Sequence, residues 1–213
     1  ADAERDLVLA ATGLETAHNL DVAREDVRSA LADTLFEQAE LAERDHDPTL
    51  VDLLLLRVGV YDLDGVRMAR WNAPARIDFN SEPAGARVLT ARYERDAEGR
   101  IHLGEAQELG VTPIARELPP GSYLWTIQAE GRAELRYPVL LRRGEQFAAT
   151  IDLPRPSEVP EGYVYIPPGR FLAGSDDDEE LRRSFFTAAP LHEREGDGFL
   201  IAREETTYGD WIA

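Results

Sequence analysis

The stretch Gly121-Ser122-Tyr123-Leu124-Trp125-Thr126-Ile127-Gln128-Ala129 decides the fold of the central part of this chain. Tyr123, Trp125, Ile127 and Ala129 fall on one face, and Leu124, Thr126 and Gln128 on the other. That is the period of a strand with one face in a core. The same alternation continues outward in both directions. Leu135, Tyr137, Val139 and Leu141 share a face, as do Phe147, Ala149, Ile151 and Leu153, while Ile77 and Phe79 alternate with Arg76, Asp78 and Asn80. Turn residues separate the runs at Asp96-Ala97-Glu98-Gly99, Pro119-Pro120-Gly121, Glu130-Gly131 and Arg143-Gly144. Short alternating runs broken at this spacing predict a central antiparallel β-sandwich over residues 74–154. Its expected core is Ile77, Phe79, Val88, Tyr123, Trp125, Ile127, Leu135, Val139, Phe147 and Ile151. Pro138 cannot donate to a ladder, so its strand is expected at an edge or at a bulge.

Towards the N-terminus the period changes near Asn72-Ala73-Pro74, and residues 1–66 read as helix. Asp21 is an expected N-cap, followed by Val22, Ala23, Val27, Ala30, Leu31, Leu35 and Ala39 at helical spacing. Asp47-Pro48 then supplies a cap and a proline at the first helical position, and Leu50, Val51, Leu54, Leu55 and Val58 form the next stripe. Two helices joined through Arg44-Asp45-His46 predict an α-helical hairpin. Such a pair serves as a packing or linker element, and it also resembles one tetratricopeptide-style unit. Trp71, at the junction, is expected to pack between the helices and the sandwich. Towards the C-terminus, Pro154, Pro156 and Pro160 predict a stiff, extended linker over residues 155–162, with a third region at 163–213. The fold class is therefore α+β in several parts.

Composition removes whole classes of chemistry. The 213 residues are 43% hydrophobic, enough for a real core, and carry a formal net charge of -18. That charge disfavours nucleic acid and anionic membrane surfaces, both of which need clustered cations. The chain has no Cys, which excludes thiol nucleophiles, disulfides and thiolate metal sites. It has no Lys either, so there is no Schiff-base lysine and no lysine to pair with ATP phosphates. Arg in place of Lys throughout fits GC-rich bacterial coding sequence. No apolar run, including Leu53-Leu54-Leu55-Leu56, is long enough to span a bilayer, so no membrane insertion is expected within this segment. Both ends read as interrupted, at a helical pattern before Asp21 and at Asp210-Trp211-Ile212-Ala213, and the sequence is expected to belong to a longer protein.

The middle region resembles the PEGA domain. The resemblance rests on Ser81-Glu82-Pro83-Ala84-Gly85-Ala86 before a strand at Val88, on Leu109-Gly110-Val111-Thr112-Pro113, on Leu118-Pro119-Pro120-Gly121-Ser122-Tyr123, and on Gly131 and Gly144-Glu145. It covers about eighty residues, of the size of a small domain. A long insertion between Leu89 and Leu109, including Ala91-Arg92-Tyr93-Glu94, departs from it and is expected to form an extended hairpin. Pro83 and Gly85 suit a tight turn that few other residues tolerate. The last region resembles the opening of the formylglycine-generating-enzyme-like (sulfatase-modifying factor) superfamily. Tyr163-Val164-Tyr165-Ile166-Pro167-Pro168-Gly169-Arg170-Phe171, Gly174-Ser175, Pro190-Leu191-His192-Glu193, Phe199-Leu200-Ile201-Ala202-Arg203 and Glu205-Thr206-Thr207-Tyr208-Gly209-Asp210-Trp211 carry that resemblance. Ala173 stands where Met is usual and Thr206 where Val is usual. The resemblance implies a partial domain whose family's catalytic region would lie beyond Ala213. The order of parts is similar to the region downstream of the kinase domain in certain serine/threonine protein kinases of myxobacteria-like organisms. It implies an accessory region, extracytoplasmic in a membrane-anchored parent or otherwise cytoplasmic.

Each candidate site has a plainer structural reading. Asp176-Asp177-Asp178-Glu179-Glu180 could offer oxygens to calcium, but it lacks the EF-hand order and its glycine, so a solvated acidic loop is expected. His18, His46, His102 and His192 have no metal-ligand spacing. Ser122 has no nucleophile-elbow glycines around it. Tyr123, Trp125 and Tyr137 could stack a sugar, although their shared period with Ile127 and Leu135 predicts a core. The sequence therefore leads us to expect no catalytic, cofactor-binding or metal residue in this segment. The expected role is a binding or structural module whose partners are the rest of the parent chain and a protein, glycan or cell-envelope ligand. The alternatives are a fragment of a formylglycine-generating-enzyme-like oxidase and a carbohydrate-binding sandwich.

Overall fold

Asp47 caps a helix as its sequence context requires: its side chain accepts from the backbone N–H of Leu50, and Pro48 takes the first turn. In the computed structural model, which describes residues 2–45, 47–96, 98–175, 189–208 and 211, four helices fill the N-terminal part. They are α1 (Asp2–Leu20), α2 (Glu25–Arg44), α3 (Pro48–Tyr61) and the short α4 (Val66–Trp71). Contacts divide the chain into two compact units, Ala1–Pro74 and Ala75–Ala213.

The helical unit is larger than a hairpin. α2 packs on both α1 and α3, and short connections make neighbouring helices antiparallel. Leu31, Leu35, Phe36, Ala39 and Ala42 of α2 share a core with Ala11 of α1 and Leu54 and Val58 of α3. Asp21 is not an N-cap. Its Oδ1 accepts from the Ala23 N–H at 3.1 Å inside the turn, and α2 starts after Arg24. Val22 and Ala23 are consequently exposed, outside the stripe. The aspartate does what aspartates do locally, but it caps a turn instead of a helix. Trp71 belongs to this helical core, edge-on to Phe36 with ring centroids 5.9 Å apart. No helix among the described residues is long and apolar enough to cross a membrane.

The second unit holds two sheets around one core. The smaller has the order β5 (Ile114–Leu118), β1 (Ala75–Glu82), β8 (Gln146–Asp152). The larger runs β3 (Ile101–Leu103), β2 (Arg87–Arg95), β6 (Gly121–Gln128), β7 (Leu135–Leu141), with β4 (Gln107–Val111) also beside β2. All ten residues expected in the core are buried. Phe79 and Phe147 of the small sheet meet Trp125 of the large one edge-on, with centroids 4.9 and 5.7 Å away. β7 lies at an edge, which accommodates Pro138. The insertion after Leu89 is a hairpin, with Tyr93, Glu94 and Arg95 opposite Leu103, His102 and Ile101. One feature corrects the all-antiparallel expectation: β1 and β8 pair in parallel. Alternation decides which face of a strand is buried; it does not decide which strand lies alongside.

A buried polar clasp joins the 81–86 and 109–113 stretches. Ser81 and Thr112 are buried, and their hydroxyls lie 2.7 Å apart. Ser81 Oγ donates to the Pro83 carbonyl, and Thr112 Oγ1 accepts from the N–H groups of Gly85 and Ala86. Every donor in the clasp is therefore used. Gly85 has φ +89, with nothing within 4 Å of where a Cβ would stand. Gly85→Val is therefore expected to destabilise this unit by about 1 kcal/mol or more, through backbone strain alone. Thermal melting checks this, and an unchanged melting temperature counts against it.

The connector is not an extended linker. Pro156–Glu158 form a single 3-10 turn; the Ala133 N–H donates to the Pro154 carbonyl at 2.9 Å just before the connector, and the Arg203 N–H donates to the Gly162 carbonyl at 2.8 Å at its end. Two ribbons follow, β9 (Tyr163–Ile166) with β12 (Phe199–Ala202), and β10 (Gly169–Ala173) with β11 (His192–Gly196). Tyr165 packs against the sheet core, so these strands share a unit with it.

Candidate functional site

The aromatic residues that could stack a sugar do not face solvent. Tyr123, Trp125 and Tyr137 are all buried in the core, and the Tyr123 hydroxyl donates to the Pro119 carbonyl at 2.8 Å. Ser122 sits at the exposed start of β6, in register with Leu140. The histidines are dispersed. His18 lies in the helical unit, edge-on to Tyr61. His102 is exposed beside Glu94, and His192 sits on β11, its Nδ1 2.7 Å from the Pro190 carbonyl while Nε2 accepts from Arg194. His46 and the acidic run 176–180 lie outside the described residues. No group of three metal-binding side chains converges among the described residues.

What the fold does assemble is an open cleft of about 610 Å³ in the second unit. The parallel pairing of β1 with β8 builds it. Because the two strands run the same way, their last residues, Glu82 and Asp152, emerge side by side in register. The Leu153 N–H donates to the Glu82 carbonyl, which fixes the exit of the chain. Arg132, from the turn after β6, donates to the Leu153 carbonyl at 2.8 Å and closes one side. Glu158 and Val159 of the connector make the next wall. The Glu158 carboxylate is fixed by the backbone N–H of Arg155 at 2.7 Å. Gly162 has φ +82, a left-handed turn that brings the chain back as β9. Tyr165 and Leu200, register partners across the β9–β12 ribbon, complete the cleft. Burial raises the Tyr165 phenol above its usual value, and the nearby Asp152 charge adds to the rise. The phenol therefore stays protonated, able to donate as well as accept.

A second cluster holds the other ribbon to the sheets. Arg170 of β10 reaches Glu145, and lies over the Phe147 ring at 5.9 Å. Glu193 of β11 bridges Arg142 at 2.7 Å and Arg170 at 3.4 Å. Burial alone would raise Glu145, but the Arg142 N–H and the Arg170 guanidinium outweigh it and lower its pKa. The hydrogen bond from Arg142 is the largest influence holding Glu193 low. These groups pair with one another across the ribbon and the sheets, so the cluster acts as a fastening. Arg170→Ala is expected to loosen β10 and β11 by about 1 kcal/mol while leaving the sheet core intact. Hydrogen exchange would register this as faster exchange confined to the β10–β11 ribbon; uniform protection across the unit would count against it.

Comparison with protein-family models gave no match, and comparison with curated proteins gave none either. Sequence reading did not assign the cleft residues to a site, although Glu82, Pro83 and Tyr165 fall in stretches it quoted. Glu82, Arg132, Asp152 and Tyr165 are spread along the chain, and only strand register brings them together.

Proposed function

We propose that this chain acts by binding and not by catalysis. It is a non-catalytic accessory or sensor region of a larger bacterial protein, of the receptor-like serine/threonine kinase kind that the sequence resembles. The PEGA-like sheets and the formylglycine-type strands together form its binding body. The observation that carries this reading is the cleft. It joins both parts, exposes apolar surface beside charged groups, and is of a size common for ligand sites. The burial of Tyr123, Trp125 and Tyr137 weighs against the sugar-stacking alternative.

The test is an activity screen of the purified chain, with ATP and a generic protein substrate in one arm and a peptide carrying the formylglycine motif in the other. The expected result is no turnover in either. Turnover that persists through rigorous purification overturns the reading.

A further inference from the structure

Resting on that reading, we infer that the cleft takes a basic peptide segment, with an arginine or lysine side chain seated between Glu82 and Asp152. The two carboxylates are register neighbours on adjacent parallel strands, both exposed on the same face. Like charges placed directly opposite each other across a ladder repel. The same sheet avoids this elsewhere: Arg76 of β1 lies opposite Glu117 of β5 and pairs with it at 3.0 Å. Among the described residues, no ion pair is made by Glu82 or Asp152, although the chain carries 23 basic residues. Arg132, the one guanidinium among the described residues that line the cleft, donates through Nη1 to the Leu153 carbonyl. Glu158 adds a third carboxylate on the facing wall. A cation paired with Glu82 and Asp152 is what this arrangement lacks among the described residues.

The remaining surface says what kind of cation. Val159, half-buried, and Leu200, 41% exposed, present apolar surface beside the acids. A long basic side chain lays its methylenes on such a surface and carries its charge to the rim. Tyr165 lines the same cleft and supplies an aromatic side chain next to that charge. The cleft is open along one side and much larger than a single side chain, which suits an extended segment more than a compact metabolite. The net charge of -18 draws such a partner in from a distance and makes capture salt-dependent.

The test is fluorescence anisotropy with the whole 213-residue chain. The probes are a labelled arginine- and lysine-containing octapeptide and its citrulline and acetyl-lysine counterpart, with spermine as competitor. The variants are Glu82→Gln/Asp152→Asn and, as a charge-matched control in α1, Glu4→Gln/Asp6→Asn. The basic octapeptide is expected to bind the parent chain and to weaken about tenfold in the cleft variant, with less than about a twofold change in the control. The cleft variant should melt no lower than the parent, since it relieves a repulsion; a lower melting temperature overturns the inference. Equal weakening in both variants overturns it too, by showing attraction to overall charge. Absence of binding, displacement by spermine at equal charge, or equal binding of the neutral peptide also overturns it. None of these outcomes touches the non-catalytic reading, which fails only on turnover in the activity screen.

Discussion

Trp125→Ala is expected to destabilise the sheet unit by about 3–5 kcal/mol, the range for removing a large aromatic from a packed core. Trp125 is 0% exposed and touches both sheets. Its ring meets Phe79 and Phe147 edge-on and lies 6.4 Å from Tyr137, so its loss empties the place where the layers interlock. The indole Nε1 has no hydrogen-bond partner among the described residues. Trp125→Phe removes that buried donor while keeping an aromatic ring, and is expected to cost much less than the alanine change. Denaturant unfolding followed by the β-sheet circular dichroism would check both. Equal losses for Phe and Ala would mean that the ring contacts are not what the residue contributes.

Trp125 also shows what was legible in advance. A strand with one buried face must alternate, so Tyr123, Trp125 and Ile127 announced their burial without any knowledge of their neighbours. The same held for Asp47-Pro48, where cap chemistry and helix start coincide. Asp21 failed because its carboxylate serves equally well in a turn, and Val22 and Ala23, though apolar, fall in that turn before α2 starts. The cleft was beyond reach for a different reason. Glu82 and Asp152 are ordinary outward positions on their own strands, and nothing local says that β1 and β8 run parallel and adjacent. The proline connector misled in a related way. Its prolines suggested an extended run, but Pro156–Glu158 close a 3-10 turn, and the Arg203–Gly162 bond that fastens its end is tertiary. Face is written in the period of a strand, whereas a site assembled across strands is written only in their order.

Asp62→Ala is expected to be the most damaging change in the helical unit, at about 3–5 kcal/mol, the range for removing one partner of a buried, hydrogen-bonded ion pair. The Asp62 side chain is 0% exposed. Oδ1 accepts from the Arg67 N–H and Oδ2 from the Met68 N–H at 2.8 Å, which satisfies the first turn of α4 where Gly65, at the N-cap, has no side chain to offer. The Arg67 guanidinium, only 13% exposed, also pairs with Asp33 and Asp64 and donates to Ser29. Asp62→Ala therefore strands two backbone donors and unbalances a half-enclosed cation. Burial by itself would raise the Asp62 pKa, but the Met68 and Arg67 N–H bonds, with Arg67 and Asp64 adding to them, overcome it and hold it below the usual value. A carboxylate lowered on folding contributes stability that is complete above its unfolded value, about 3.9, and is lost as pH falls through the folded value. Arg67 does not titrate in that range. The gap in melting temperature between the parent and Asp62→Ala, followed by helical circular dichroism, should thus be full at neutral pH. It should narrow steadily as the pH is taken below about 4. A gap that stayed constant through that acid range would show that the ionised carboxylate is not what holds α4 in place.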